Sequence, residues 1–293
     1  MALVLVDGNS IGYANHNGTK LTCNGMEVQA IFGVIKSIRN LKIAYPNHKL
    51  LVLWDGHAQW RYDLHPDYKS NRGKDAASLE RREKYRLQRP HIQRALSLLG
   101  VSQMTCSSAE ADDLAGYTSR QYGEEILLVS GDKDWLQLVN ERTSWFDPRF
   151  DKKVNHANFF DMTGYLTPQA FLQGKALQGD TSDVIPGVGG IGEKGAPEFL
   201  AEFQSVPRFF SLVDEGKFVP KKKAHINLAS EEGRAKFTRN MALMNLLNVP
   251  TPKREDITAS KTTLDVDGFR DLCNEFAFVS LISKLDEFVR PYQ

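Results

Sequence analysis

The chemistry-bearing residues of this 293-residue chain are carboxylates, and they come in groups. Glu110, Asp112 and Asp113 fall within four residues, and Asp180 and Asp183 stand three apart in Gly-Asp-Thr-Ser-Asp. Asp7, Asp55 and the pair Asp132 and Asp134 each follow a short apolar run. Like charges brought together repel unless cations sit among them. Hard oxygen donors without an accompanying Cys/His set suit Mg²⁺ or Mn²⁺ rather than zinc. Taken singly, each acid has a plainer explanation, as the N-cap of a helix following a strand or as part of a negative first helical turn. Repetition at three strand ends weakens that explanation.

Two further stretches carry chemistry. Residues 60–72 read WRYDLHPDYKSNR, in which Lys69 and Arg72 lie one helical turn apart and can face a phosphate, with Tyr68 available to stack on a base. Arg81, Arg82, Lys84, Arg86, Arg89 and Arg94 follow as a basic segment, which also reads as a solvated helix face partnered by Glu80 and Glu83. Residues 187–192 read Gly-Val-Gly-Gly-Ile-Gly and lead into a helix. Such a turn resembles a helix–hairpin–helix, whose backbone amides approach a phosphate closely because glycine has no side chain, although plain helix connections look the same.

Secondary structure must bring these side chains together. Residues 2–6, 50–53, 101–105 and 126–130 read as short buried strands ending in polar turns, the first, second and fourth as apolar runs. Between them, residues 28–41 place Ile31, Phe32, Ile35, Ile38 and Leu41 close to one helical face, and 92–99 and 112–122 behave similarly. Strands alternating with helices predict an α/β fold with a mostly parallel central sheet flanked by helices. Ligands gather at the carboxyl ends of such strands, where Asp7, Asp55, Asp132 and Asp134 fall. After about residue 165 helices take over, interrupted by the basic run 221–223. Residues 248–261 read as largely irregular. Residues 269–289 read as an apolar helix packed on the body through Phe269, Leu272, Phe276, Val279, Leu281, Ile282, Leu285 and Phe288.

Bulk properties exclude some classes. A net charge of +1 and a pI near 7.7 do not announce a nucleic-acid binder, but an acidic site and basic surfaces cancel in such a sum. The first residues lack a basic region, and Asp7 ends their apolar run, so a signal sequence is not expected; nor does any run approach the length of a membrane span. Cys23, Cys106 and Cys273 are odd in number and widely spaced, which implies neither a disulfide framework nor a zinc site and points to a reducing, cytoplasmic setting.

The motifs VDGN at 6–9, WDG at 54–56, PDYKSNR at 66–72, EADD at 110–113, GDKDW at 131–135 and GDTSDVIPGVGGIGEKGA at 179–196 together resemble those of the 5′-nuclease family. That family includes flap endonucleases, the 5′-nuclease domain of bacterial DNA polymerase I and free-standing phage 5′→3′ exonucleases. The motifs keep the family order over roughly residues 1–200, and the short chain and its 60–72 stretch resemble the phage-type enzymes most. The resemblance implies a PIN-like core over 1–165 with an arch near 73–94, a helix–hairpin–helix (three-turn-helix) region over 166–250, and a C-terminal segment over 251–293.

It further implies that Asp7, Asp55, Glu110 and Asp112 hold a first Mg²⁺ with Asp113 beside them, and that Asp132, Asp134, Asp180 and Asp183 serve a second, Mn²⁺ being able to substitute. Lys69 matches the lysine that approaches the scissile phosphate, Arg72 its basic partner and Tyr68 the family's aromatic. With Asp132, Lys69 and Arg72 make the expected catalytic set. Gly187, Gly189, Gly190, Gly192 and Lys194 match the duplex-binding turn, which in relatives also holds K⁺ through main-chain carbonyls. Two positions depart from the family: Val184 replaces its usual Asn, and Gly195 its usual Thr.

The implied activity is hydrolysis of DNA phosphodiesters at 5′ ends, flaps, nicks or gaps, leaving 5′-phosphate and 3′-hydroxyl. Removal of RNA from an RNA–DNA hybrid is compatible with it. A monomer is expected, with no membrane association and with replication proteins as conceivable partners. The alternative is a catalytically silent, structure-specific DNA-binding protein of the same fold, against which the complete acid set weighs.

Overall fold

The computed structural model describes residues 1–293. Strand β1 (Leu3–Asp7) is buried along its whole length, as a strand covered on both faces must be. It runs directly into α1 (Gly8–His16). A short pair, β2 (Thr22–Cys23) and β3 (Met26–Glu27), turns the chain into α2 (Gln29–Ala44), which buries Ile31, Val34, Ile35, Ile38 and Leu41 at helical spacing. There follow β4 (Lys49–Trp54), α3 (Gln59–Leu64), α4 (Ala76–Leu98), β5 (Ser102–Cys106), α5 (Ala111–Gln121), β6 (Ile126–Val129), a 3₁₀ turn over Lys133–Leu138, and the hairpin β7 (Thr143–Asp147) and β8 (Lys152–Val154).

The main sheet has seven strands in the order β8-β7-β6-β1-β4-β5-β9, where β9 is Ile257–Ser260. Strands β7, β6, β1, β4 and β5 are parallel, and the edge strands β8 and β9 pair antiparallel. The pleat sends alternate side chains of β1 into different cores. Leu3 and Leu5 join Leu53 and Leu128 on one face, and Val4 and Val6 join Val52 and Trp54 on the other. Because β1 lies between β4 and β6, the winding direction changes beside it, and a crevice opens at the carboxyl ends there.

The second half is helical: α6 (Phe159–Thr163), α7 (Pro168–Gln178), α8 (Gly195–Phe203), α9 (Val206–Asp214), α10 (Lys223–Ala229) and α11 (Glu231–Met244). Thr167, Ser205 and Ser230 cap α7, α9 and α11 through their hydroxyls. Phe199, Phe203 and Phe209 pack edge-on around the His225 ring, with Phe218 tilted against it, gluing α8, α9 and α10 together.

Three expectations change. The stretch 248–261 is not wholly irregular: β9 pairs with β5, Met104 opposite Ala259. Ile-Thr-Ala-Ser is short and carries no clean alternation, so only its neighbour makes it a strand. The expected helix over 269–289 is three, α12 (Val266–Glu275), α13 (Val279–Ile282) and α14 (Leu285–Val289), broken near Ala277, whose φ of 54° is left-handed. Phe269, Leu272, Phe276, Leu281, Leu285 and Phe288 are buried against the core as expected, while Val279 is exposed. Lastly, residues 92–99 are not a separate helix. They end α4, which begins at Ala76 and whose exposed first half reaches the rim of the crevice.

Candidate active site

A basin of about 900 Å³ lies at the carboxyl edge of the sheet. Asp7, Asp55, Asp112, Asp132, Asp134, Asp180 and Asp183 line it, together with Lys69, Arg72, Asn9 and Lys175. Asp7 is both a cap and a site residue, because a carboxylate has two oxygens. Its Oδ1 accepts from the Ser10 amide at 2.8 Å, and its Oδ2 accepts from the Ser130 hydroxyl at 2.7 Å. Asp55 Oδ1 accepts from the Ala111 amide at 2.8 Å, and its Oδ2 from the Asn9 side chain. Asp132 caps the following 3₁₀ turn at 2.8 Å through the Asp134 amide. Asp112 accepts from the Trp135 indole at 2.7 Å.

The electrostatics are those of an unneutralised acid cluster. Burial, and then the neighbouring Asp55, push Asp7 up to about 6. Burial, and then Asp134, push Asp132 up to about 7; water reaches this side chain, but it sits in a concave floor ringed by protein. Asp112 is raised well above the carboxylate range by burial and by Asp132, Asp7 and Asp55. Burial opposes ionisation of Lys175, yet Asp134 at 3.0 Å and Asp180 at 3.7 Å hold its ammonium above the ordinary lysine range. Burial likewise opposes ionisation of Asp180, but Ser182 and Lys175 keep it below the usual carboxylate range.

As the side chains stand, no three of these acids close on one point. The chain's own cations hold several of the oxygens. The donor set nonetheless fits a hard divalent cation. It is oxygen-only, partly desolvated, and left by the protein with negative charge that raises three pKa values.

Lys69 and Arg72 reach the basin from the chain after α3. Lys69 donates to Glu110 Oε1 at 2.6 Å and lies 3.8 Å from Asp183; Arg72 donates to Asp183 Oδ1 at 2.7 Å. The Lys69 backbone has φ 56° and its amide bonds the Asp183 carbonyl at 3.0 Å, so the two segments are stitched together at a strained residue. Glu110 stands behind the basin rather than lining it. Burial opposes its ionisation, but Lys69 and Arg61 hold its carboxyl below the usual range.

Two expected site residues have other duties. Asp113 does not line the basin. Its oxygens receive Arg61 Nη2 at 2.6 Å and Nη1 at 2.8 Å, and it also accepts from the Glu110 amide at 2.9 Å. That is a capping box, which turns the third helical residue back toward the cap. Tyr68 is 4% exposed, so its ring is not available as a stacking surface. Its hydroxyl donates to Glu110 Oε2 at 3.0 Å, and its ring packs near Tyr62, Arg61 and Lys69.

The glycine turn lies between α7 and α8, outside the basin lining. Gly189 has φ 69°, and a Cβ there would come 2.7 Å from the Ala224 carbonyl. Gly187, Gly190 and Gly192 are exposed, as is Lys194, which precedes α8. Asn240, fully buried on α11, donates to the Ala176 and Pro186 carbonyls at 2.9 and 2.8 Å and pins the turn to α7. Of the basic segment, Arg81 and Arg82 reach the basin. Lys84, Arg86 and Arg94 pair with acids, and Arg89 donates to the Asp55 carbonyl at 2.9 Å.

Sequence reasoning missed three participants. Asn9 stands inside the VDGN motif, which signals it. Lys175 precedes Asp180 by five residues at the end of α7, and only the fold turns it inward. Arg61 stands in the 60–72 stretch but is 3% exposed, and nothing in its spacing marks a buried arginine.

An α/β sheet carrying an acid basin at its switch point, with two cations over it and a glycine-turn helical region behind, is the layout of a nuclease. Residues 2–164 match the 5′-3′ exonuclease N-terminal resolvase-like domain, and residues 166–263 the 5′-3′ exonuclease C-terminal SAM fold. The chain belongs to the 5′-3′ exonuclease family. The 5′-3′ exonuclease of Buchnera aphidicola subsp. Acyrthosiphon pisum is 29% identical over 88% of this chain and 92% of that one. DNA polymerase I of Bacillus subtilis is 29% identical over 97% of this chain, which spans 32% of that longer protein. Among solved structures, T5 5′-exonuclease with bound divalent metal ions (zinc) superposes with a TM-score of 0.73 at 22% identity, covering all of both chains. No helix is long and apolar enough to cross a membrane.

Proposed function

We propose that this protein is a divalent-metal-dependent, structure-specific 5′-nuclease that hydrolyses DNA at 5′ ends, flaps or nicks and leaves 5′-phosphate and 3′-hydroxyl. The observation that carries the reading is the convergence of seven aspartates, from strand ends, a helix start and the turn before the glycine hairpin, on one basin with Lys69 and Arg72. Asp7, Asp55 and Asp112, with Glu110 behind them, would hold one Mg²⁺; Asp132, Asp134, Asp180 and Asp183 would hold a second. Such ions, when bound, supply an activated water and neutralise the leaving oxygen.

The chain's own residues do the rest. Lys69 and Arg72, drawn onto Glu110 and Asp183, present their ammonium and guanidinium to a phosphodiester entering the basin, where they stabilise charge on its non-bridging oxygens. Arg61 and Tyr68 fix Glu110, and so fix where Lys69 points. Asn9 and the Ala111 amide orient Asp55. The Gly187–Gly192 turn is the surface for the duplex. K⁺ on its carbonyls belongs to the same reading and predicts tighter duplex binding in K⁺ than in Li⁺.

Labelled flap, nicked, gapped and blunt substrates with Mg²⁺, against an EDTA control, test the proposal. Cutting at 5′ structures supports it. Tight binding without cutting identifies a silent DNA-binding protein instead.

A further inference from the structure

The turn between β7 and β8 is unused by this reading, yet it stands beside the basin. β7 runs parallel to β6 and β1, so its carboxyl end lies on the same edge as Asp7 and Asp132. The turn begins at Asp147, which is 3% exposed and grips Arg149: Nε donates to Oδ1 at 2.9 Å and Nη2 to Oδ2 at 2.7 Å. Arg149 Nη2 also donates to the Gly131 carbonyl at 2.7 Å, one residue before Asp132. The guanidinium is thus bolted in place and lines the basin, with Nη1 left free of protein partners.

The next residue, Phe150, is 75% exposed, more than any other large apolar side chain of the chain. Its ring centroid lies 5.4 Å from the Arg149 guanidinium carbon. A phenylalanine so exposed contributes little to the core, and the turn does not need it. The Phe150 amide bonds the Asp147 carbonyl whatever the side chain, and the left-handed residue of the turn is Asp151, φ 48°.

From these observations the geometry points to a nucleotide subsite on the β7–β8 turn: Phe150 stacks on a base of the substrate strand while Arg149 Nη1 binds a phosphate of that strand. An aromatic face beside a fixed cation is the pairing that single-stranded or splayed nucleic acid takes, because every base has a π-face and every nucleotide a phosphate. The occupant is DNA rather than a protein partner because the turn is continuous with the basin through Arg149 and Gly131. The subsite rests on the nuclease reading for its substrate, and it adds a contact beyond the reacting groups. It places one unstacked base close to the scissile bond, held by a side chain that touches no reacting atom.

The test uses the full chain and 5′-flap substrates. Phe150→Ala is expected to raise KM about ten-fold, the loss of one base–aromatic stack, with kcat unchanged within about two-fold. Phe150→Trp is expected to restore KM, and Phe150→Leu, apolar but not aromatic, is not. In parallel, 2-aminopurine is moved singly through the nucleotides around a scissile linkage made inert by a bridging methylene. One position is expected to be quenched by the wild type and not by Phe150→Ala. An unchanged KM in Phe150→Ala overturns the inference, as does rescue by Leu equal to that by Trp. So does quenching that does not depend on residue 150. Wild-type cutting is scored in the same series, so loss of the nuclease reading shows as no cleavage, whereas failure of the subsite shows as cleavage indifferent to residue 150.

Discussion

Replacing Asp7 by Asn should stabilise the protein in EDTA while removing its cleavage activity. Asp7 is 6% exposed and its pKa rises from 3.8 to about 6, through burial first and Asp55 second. A group whose folded pKa lies above its unfolded value contributes stability at low pH, and that contribution is lost as pH rises through the folded value. Relative to a side chain that is neutral in both states, Asp7 therefore lowers stability by about 3 kcal/mol at pH 8, where it is ionised folded and unfolded, and by about 1.5 kcal/mol at pH 5, where the folded carboxyl is mostly protonated and the unfolded one ionised. Asn keeps the cap on the Ser10 amide, since Asn and Asp cap equally well. Its amide must re-pair with Ser130, at a cost of about 1 kcal/mol. The net gain is about 2 kcal/mol at pH 8 and about 0.5 kcal/mol at pH 5. His16 and His225, whose pKa values burial lowers, tilt stability the other way in both proteins and cancel in the comparison. Urea unfolding in EDTA at the two pH values reads the difference. Adding Mg²⁺ should raise wild-type stability by linkage and raise that of Asp7→Asn by less, since the variant keeps only the second group of acids intact. A variant less stable than wild type at pH 8, or a difference equal at both pH values, would show that Asp7 is only a cap and refute the electrostatic argument.

Three other perturbations follow from the geometry. Arg61→Met leaves Asp113 buried without its partner and should cost about 3–5 kcal/mol in urea unfolding, most of it recovered in the double variant with Asp113→Asn. Val184 is a β-branched residue at φ 61°, a conformation in which Asn is more at ease; Val184→Asn should raise stability by about 1 kcal/mol with cleavage unchanged, and a loss of stability would contradict the strain. Gly189→Ala adds a Cβ 2.7 Å from the Ala224 carbonyl at φ 69°. It should weaken duplex binding in a gel-shift or anisotropy assay while sparing turnover of a short single-stranded end.

How much of this was legible in the sequence depends on what kind of information each residue carries. The parallel sheet was legible because a strand buried on both faces must be an apolar run, and β1, β4 and β6 are such runs, whereas β5, Ser-Gln-Met-Thr-Cys, is only partly buried and mixed in character. β9 was not, since its strand character comes from β5. The acids at strand ends were legible because the architecture alone sends strand ends to one edge. Direction was harder. Asp112 and Asp113 are adjacent in sequence, but successive helical residues point about 100° apart. The first faces the basin and the second closes a capping box with Glu110 and pairs with Arg61. The Glu-Ala-Asp-Asp spacing contained that clue, which the metal reading of all three acids passed over. Tyr68 was placed on the correct segment and given the wrong exposure, because exposure depends on what packs over a side chain, here Arg61, Tyr62 and Lys69. Lys175 and Arg149 had no signal at all: each acquires its role from a partner distant in sequence or from the turn of a hairpin.

The cost at Asp7 also says why the site is framed as it is. About 3 kcal/mol is a large part of the 5–15 kcal/mol that keeps a domain folded, and Asp112 and Asp132 strain in the same direction. Such a cluster persists only on elements that cannot relax away from it. β1 is buried at every residue, Trp54 and Trp135 flanking the basin are fully buried, and the Ser130 hydroxyl ties the ends of β1 and β6 together. Three of the cations lining the basin, Lys69, Arg72 and Lys175, sit on long side chains that can leave the acids without moving the backbone. Rigid acids beneath movable cations suit a site that must exchange its own positive charge for metal and still meet a phosphate with what it releases.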